Sequence, residues 1–450
     1  MLVALPGLAA AHAGGALAAV DVFATDTDAW VETSLGLLQQ RDTVRWTCHE
    51  AITTPEAILT PSYASAGDVL LVTVPDPSQA RDPGETLYRS TDGGCSWAAP
   101  AGLTGEVVAR VVADPSDPAV VVAVTADPAA GATNGIWRSA DAGATWMPTA
   151  VSESDRLWVE VQAAPGALWT ASFTVAGAVA QVHVSTDGGE DWTTRPLDLS
   201  VVPREGSTVD DTAAVRVLAA RSATEAWVVV DPFLGDTLLH TTDGGQTWAP
   251  VLSVGGELVD AALDEAGVLW VVEGNRFVYR SDDGFTFARD DDAPFASGAG
   301  VLGGTVRLAH FPEQASGALT SLGPPWQTAL LPSDVAAPLE CAEGTDHARI
   351  CAPLWPAVQA TVAGFVPAVG DSGTVDGSAR ERAGKSEGCG CESSGSGASA
   401  WWLLLASAAC ARPRWPSRRR TTGRRESAPQ SRRGRHRGPC RPTPPAPPRG

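Results

Sequence analysis

YRSTDGGCSW (residues 88–97), WRSADAGATW (137–146), HVSTDGGEDW (183–192), LHTTDGGQTW (239–248) and YRSDDGFTF (279–287) are five versions of one pattern, and they decide the fold. The pattern is Ser/Thr-x-Asp-x-Gly-x-Thr/Ser/Asp-Trp. It places Ser90, Asp92, Gly94 and Trp97 in the first copy and Ser139, Asp141, Gly143 and Trp146 in the second. Ser185, Asp187, Gly189 and Trp192 follow, then Thr241, Asp243, Gly245 and Trp248. The last copy is one residue shorter and ends in Phe: Ser281, Asp283, Gly284 and Phe287. A decayed sixth, QQRDTVRW at 39–46, keeps the strand and the aromatic but has lost the glycine.

Each copy reads as a hairpin turn that satisfies itself. The Asp carboxylate and the Ser or Thr hydroxyl accept amide hydrogens of their own turn, and the glycine supplies a positive φ. The aromatic then carries a large apolar area into the neighbouring sheet. Between the copies, VVARVVAD, GALWTASFTV, EAWVVVD and GVLWVVEG are strand-like runs, and helical periodicity of ten residues or more is absent from roughly 20 to 360. The aspartates recur every 40 to 56 residues, the length of one four-stranded propeller blade. The fold class is therefore all-β, a single propeller over residues 18–358 with about seven blades, six being the alternative count. The early strand AAVDVFAT, from Ala18, is expected to close the ring beside the last blade.

Charge divides the chain. Residues 1–360 hold 16 Arg and no Lys against 46 acids; residues 361–450 hold 15 Arg and Lys385 against six. An acidic body repels phosphate backbones, which argues against nucleic acid as a partner of the propeller. Residues 1–13 end in Ala11-His12-Ala13, a signal-peptidase pattern without the usual basic start. After the body come a Gly/Ala/Ser-rich linker at 359–388 and a segment at 389–411 with Cys389, Cys391 and a short apolar run. An Arg/Pro-rich extension at 412–450 has the composition of a disordered tail. The apolar run falls short of the roughly 20 residues of a spanning helix.

The five copies resemble the Asp-box (BNR) repeats of propellers in the sialidase and sortilin superfamily, over about three quarters of the chain. That resemblance implies a fold rather than an activity, since its members do unrelated things. The tail resembles a myxobacterial C-terminal sorting signal, which implies export and association with the cell surface or outer membrane through residues 389–411. Cys389 and Cys391 are then candidates for processing or lipid attachment. The tail departs from that family in the breaks at Ser407 and Cys410 and in the long extension after the apolar run.

No catalytic constellation stands out. A sialidase would need a Tyr/Glu pair, yet Tyr88 and Tyr279 belong to the repeated hairpins, leaving Tyr63. Two carboxylates of a glycoside hydrolase could come from Asp210 and Asp211 or from Asp290-Asp291-Asp292; solvated loop acids are the alternative. Scattered histidines and the lack of Cys-x-x-Cys spacing give no metal site, and no cofactor is implied. Cys341 and Cys351 are spaced for a bridge across a hairpin-like loop, and Cys48 and Cys95 for one between adjacent blades; buried free thiols are the alternative. The Trp residues outside the repeats are expected in the core, with one or two left on a rim for sugar stacking. The expected function is that of an exported, monomeric binding or scaffold module. It would hold a glycan or protein on the face opposite the repeats. A secreted glycoside hydrolase and a periplasmic assembly factor are the competing readings.

Overall fold

Each repeat folds as an antiparallel meander, because its strands alternate apolar and polar residues and its turns carry their own hydrogen-bond partners. The computed structural model describes residues 17–54, 61–174, 177–203, 214–231, 235–311 and 317–364. Seven such sheets stand in a ring, the expected number of blades. Blades 1 to 7 occupy 19–47, 62–98, 108–154, 156–196, 214–253, 258–289 and 298–330. In blade 2 the outer strand is reduced to Ala98, which exchanges both backbone hydrogen bonds with Arg89 of the third strand at 2.9 and 3.0 Å.

The inner strands Ala19–Ala24, Ser62–Ala66, Val108–Asp114, Arg156–Ala164, Ala214–Ala220, Leu258–Leu263 and Gly298–Leu302 lie side by side around a central channel. The core sits between neighbouring blades. Trp30, Trp46, Trp158, Trp169, Trp227 and Trp270 are all less than 2% exposed. Trp326 packs edge-on against Trp270, and Trp355 tilts against Trp46. Among the described residues no Trp is fully exposed, and Trp137, Trp192, Trp248, Trp326 and Trp355 are half-buried, since most of these rings fill the wedge between sheets.

Ring closure differs from the expectation. Strand Ala19–Ala24 lies beside blade 7 but hydrogen-bonds along its length to blade 1. The seam to blade 7 is held by Ala19 N donating to His310 O (2.9 Å) and Ser297 Oγ donating to Ala19 O (2.6 Å). Gly298 and Gly300 let the two strands approach: a Cβ on either would lie 2.2 Å from the carbonyl oxygen of Val20 or Val22. We expect Gly300→Ala to cost about 2 kcal/mol by overpacking this seam, read as a lower urea midpoint. An unchanged midpoint would contradict so tight a seam.

The ladder that closes the ring is a different one. Val335–Pro338 returns from blade 7 and pairs in parallel with Val44–Thr47, the outer strand of blade 1. The chain then continues through a π-helical turn, His347–Cys351, and a helix, Trp355–Gly364, whose Val358 and Val362 are buried. This helix spans the linker start expected at 359 and packs as far as Val362. Its apolar residues are not spread in an amphipathic pattern, so periodicity did not reveal it. The candidate signal segment 1–13, the tail segment 389–411 and the extension 412–450 lie outside the described residues.

This strap also corrects the cysteine pairing. The bridges are Cys48–Cys351 and Cys95–Cys341, spanning 303 and 246 residues. Cys48 and Cys95 sit on different blades, each facing the strap rather than the other. Cys341 and Cys351 cannot face one another across a hairpin, because the chain between them enters a helical turn. That turn docks on blade 2. Trp97 N donates to Asp346 Oδ2 (2.9 Å), His347 N donates to Cys95 O (2.9 Å), and Arg81 pairs with Asp346 at 3.3 Å.

Candidate functional site

The five repeat turns share one geometry. In blade 5, Thr241 Oγ1 donates to Asp243 Oδ1 (2.9 Å) and accepts from Gly245 N (3.0 Å), while Thr247 N donates to the same carboxylate (2.9 Å). Ser90 with Asp92 and Gly94, Ser139 with Asp141 and Gly143, Ser185 with Asp187 and Gly189, and Ser281 with Asp283 and Gly284 repeat it. The hydroxyl as a relay between carboxylate and glycine amide is a detail beyond the sequence reading. Trp146, Trp192 and Trp248 each turn the indole N–H back onto the carbonyl of the turn glycine, at 3.1 to 3.3 Å. Trp97 and Trp146 are buried, whereas Trp192, Trp248 and Phe287 are half-buried. The carboxylates of these turns accept hydrogen bonds from their own backbone.

A different set of charges meets in the channel. On four inner strands a β-bulge falls just before a charged residue: between Ala19 and Asp21, Val108 and Arg110, Trp158 and Glu160, and Leu258 and Asp260. A bulge adds one residue to a strand and re-aims the side chains beside it. Arg110 Nε lies 3.1 Å from Glu160 Oε1, its Nη2 lies 4.0 Å from Asp21 Oδ2, and its Nη1 donates to Ser62 Oγ. Arg216, one strand further round, pairs with Asp236 at 3.6 Å and donates to Leu258 O. Asp260 accepts from Ala299 N on the neighbouring blade (2.8 Å) and from Ala261 N (2.8 Å).

The side chains of Arg110, Asp21, Glu160 and Arg216 keep only 16 to 29% of their surface open to a water-sized sphere. These side chains are therefore half-buried between the inner strands. Burial raises the Asp21 and Glu160 carboxyls, opposed mainly by Arg110. It raises Glu32, behind the inner strand of blade 1, further, with Asp21 adding to the effect. Burial and then Asp21 push Asp260 up to about 8, and burial against Arg216 pushes Asp236 up to about 7. Glu160, ahead of the other acids, holds Arg110 firmly protonated.

These shifts set a pH dependence. A carboxyl whose folded pKa lies above its unfolded value takes up a proton on folding, so stability falls as pH rises from about 4 to about 8. The turn aspartates act in the other direction. Asp141, Asp243 and Asp283, held down to about 2 by the hydroxyls and amides of their own turns, add stability that disappears as pH falls from about 4 to 2. Melting temperature should thus peak in mildly acid solution and decline toward pH 8. A steady rise from pH 5 to 8 in scanning calorimetry would contradict the buried channel acids.

Of the other sequence candidates, Asp290 accepts from Asp292 N (3.0 Å), Ala293 N (3.2 Å) and Trp326 Nε1 (3.1 Å), and Asp291 pairs with Arg289. They stabilise a turn. Asp210 and Asp211 lie outside the described residues. Tyr63 is buried, its hydroxyl 3.0 Å from His49 Nδ1; Tyr88 accepts from Asp82 N, and Tyr279 donates to Glu273. The channel set escaped the sequence reading. Asp21, Arg110, Glu160 and Asp260 each interrupt an otherwise apolar stretch of strand, and that interruption was the available signal.

The ring of seven antiparallel sheets defines the class: a seven-bladed β-propeller. The chain matches no protein-family model and no curated protein. Among solved structures it is similar to YCF48 bound to D1 peptide, at 17% identity and a TM-score of 0.32, covering 47% of this chain and 64% of that one. It is similar to the GH74 xyloglucanase from Xanthomonas campestris at 15% identity and a TM-score of 0.35, covering 69% and 58%. A Hadza microbial sialidase is similar at 16% identity and 0.35, covering 61% and 65%. The chain thus spans less than two thirds of the length of each of these structures.

Proposed function

We propose that the protein is an exported, surface-associated propeller that binds a glycan or protein partner without turning it over. The observation that carries this reading is the engagement of the channel carboxylates. Glu160 and Asp21 face Arg110, and Asp260 and Asp236 accept main-chain amides of the next blade. Acids held in this way pin the blades together, whereas a glycosidase needs two carboxyls about 5 to 9.5 Å apart across an open cleft. Pairing of the four body cysteines in two bridges fits an oxidising compartment. Retention on the surface belongs to residues 389–411 by their resemblance to a sorting signal.

One observation favours hydrolysis instead: Asp260, raised to about 8 beside Asp21, is a proton-carrying acid next to a second carboxyl at neutral pH. A panel of polysaccharides and surface proteins, scored for retention and for release of reducing sugar, separates the two. Retention without release is the expected result. Release that disappears in Asp260→Asn would replace the binding reading with the hydrolytic one.

A further inference from the structure

Away from the channel, a cleft of about 550 Å³ opens between blades 1 and 2. It lies among the repeat turns, on the face expected to be structural only. Four parts of the chain wall it: the hairpin turns of blade 1, the turn of blade 2 that carries Asp68, the Thr91-Asp92-Gly93 turn of the same blade, and the strap at Leu339 and Glu340. Cys95, bridged to Cys341, sits in the same wall. The site is therefore complete only when the ring is closed and oxidised.

The lining has a definite chemistry. Both arginines are neutralised: Arg41 forks onto Asp28, with Nη2 to Oδ2 at 2.6 Å, and Arg45 pairs with Glu340 at 2.6 Å. Asp42, Asp68 and Asp92 then leave the cleft acidic. Asp92 is held by its own turn, but Asp42 and Asp68 are exposed turn residues, and Asp68 accepts only the Thr27 hydroxyl (3.0 Å) among the hydrogen bonds described. Trp30 also lines the cleft. It is 1% exposed, and its indole N–H has no hydrogen-bond partner. That N–H is buried with the rest of the ring, so Trp30 forms the floor of the cleft. Threonine hydroxyls fill much of the remaining wall.

We infer that this cleft binds a short oligosaccharide without negative charge, neutral or amino-substituted. Sugar hydroxyls both donate and accept, which suits a wall offering several hydroxyls and two open carboxylates. An anionic sugar is repelled by those carboxylates, and an apolar ligand would leave them unsolvated. The volume falls within the usual range of small-ligand sites, about 300 to 1,000 Å³. This assignment rests on the binding reading above and names where and what it binds.

The test uses the full-length, oxidised protein with three probes in calorimetry: a glucose trimer, a glucosamine trimer and a galacturonate trimer. The glucose or glucosamine trimer is expected to bind, and the galacturonate trimer at least tenfold more weakly. Asp42→Asn with Asp68→Asn should weaken the bound probe at least tenfold. The two Asp changes are on exposed turns and leave the melting curve as a check of folding. Sugar binding unchanged in the double variant would overturn the cleft while leaving a sugar-binding propeller. Equal binding of galacturonate would also overturn it. Failure of every sugar probe, with a protein partner captured instead, overturns the cleft and keeps the broader reading; no partner of either kind sinks both.

Discussion

Replacing Cys48, Cys95, Cys341 and Cys351 by serine lowers the stability of the folded chain by about 5 kcal/mol. The magnitude comes from the unfolded state. Closing a loop costs entropy that grows with the logarithm of its length, so the observed 303-residue span restricts the unfolded chain far more than a local Cys341–Cys351 bridge could. The difference between those two loops is roughly 3 kcal/mol. Without the bridges, the strap is held by the short parallel ladder at Val335–Pro338, the Arg45–Glu340 pair and the bonds of Asp346. It should open before the blades do. Urea titration with and without reductant measures the loss, and hydrogen exchange locates it: amides at 335–354 lose protection first. An unchanged midpoint after reduction, with thiols shown to be free, would contradict the clasp.

Arg110→Met should cost about 3 to 4 kcal/mol at neutral pH, because breaking a buried pair leaves its acids uncompensated. Arg110 is the cation facing Glu160 and Asp21, and it lowers the carboxyls of both. Without it they climb further, so the variant gains most from added protons. Its deficit relative to the parent should shrink as pH falls from about 8 to 5. A double-mutant cycle provides the control. Glu160→Gln in the Arg110→Met background should restore part of the loss, since one unpaired acid is removed. If Arg110→Met is tolerated at all pH values, the ring of charges is solvated and does not pin the blades.

These two predictions fall on features that a linear reading could not reach. The repeats were legible because their chemistry is local. Asp243, Thr241, Gly245 and Thr247 satisfy one another within seven residues, and so does each other copy. Repetition at blade length then implied a closed ring, since each sheet can bury its faces only against its neighbours. The channel was not legible. Asp21, Arg110, Glu160 and Asp260 belong to different blades, and only a bulge in each strand turns them inward.

The same division applies to the closure. Which cysteines form bridges could be anticipated from the body's composition, but their partners depend on a strap that doubles back along blade 1. The cleft depends on the same return, since Glu340 and Cys95 meet in its wall only after the ring has closed. Local hydrogen bonding and hydrophobic period, which any short stretch of chain carries within itself, determined the blades. Contacts across hundreds of residues, whose entropy of closure is repaid only in the assembled ring, decided the seam, the bridges and the place where a ligand fits.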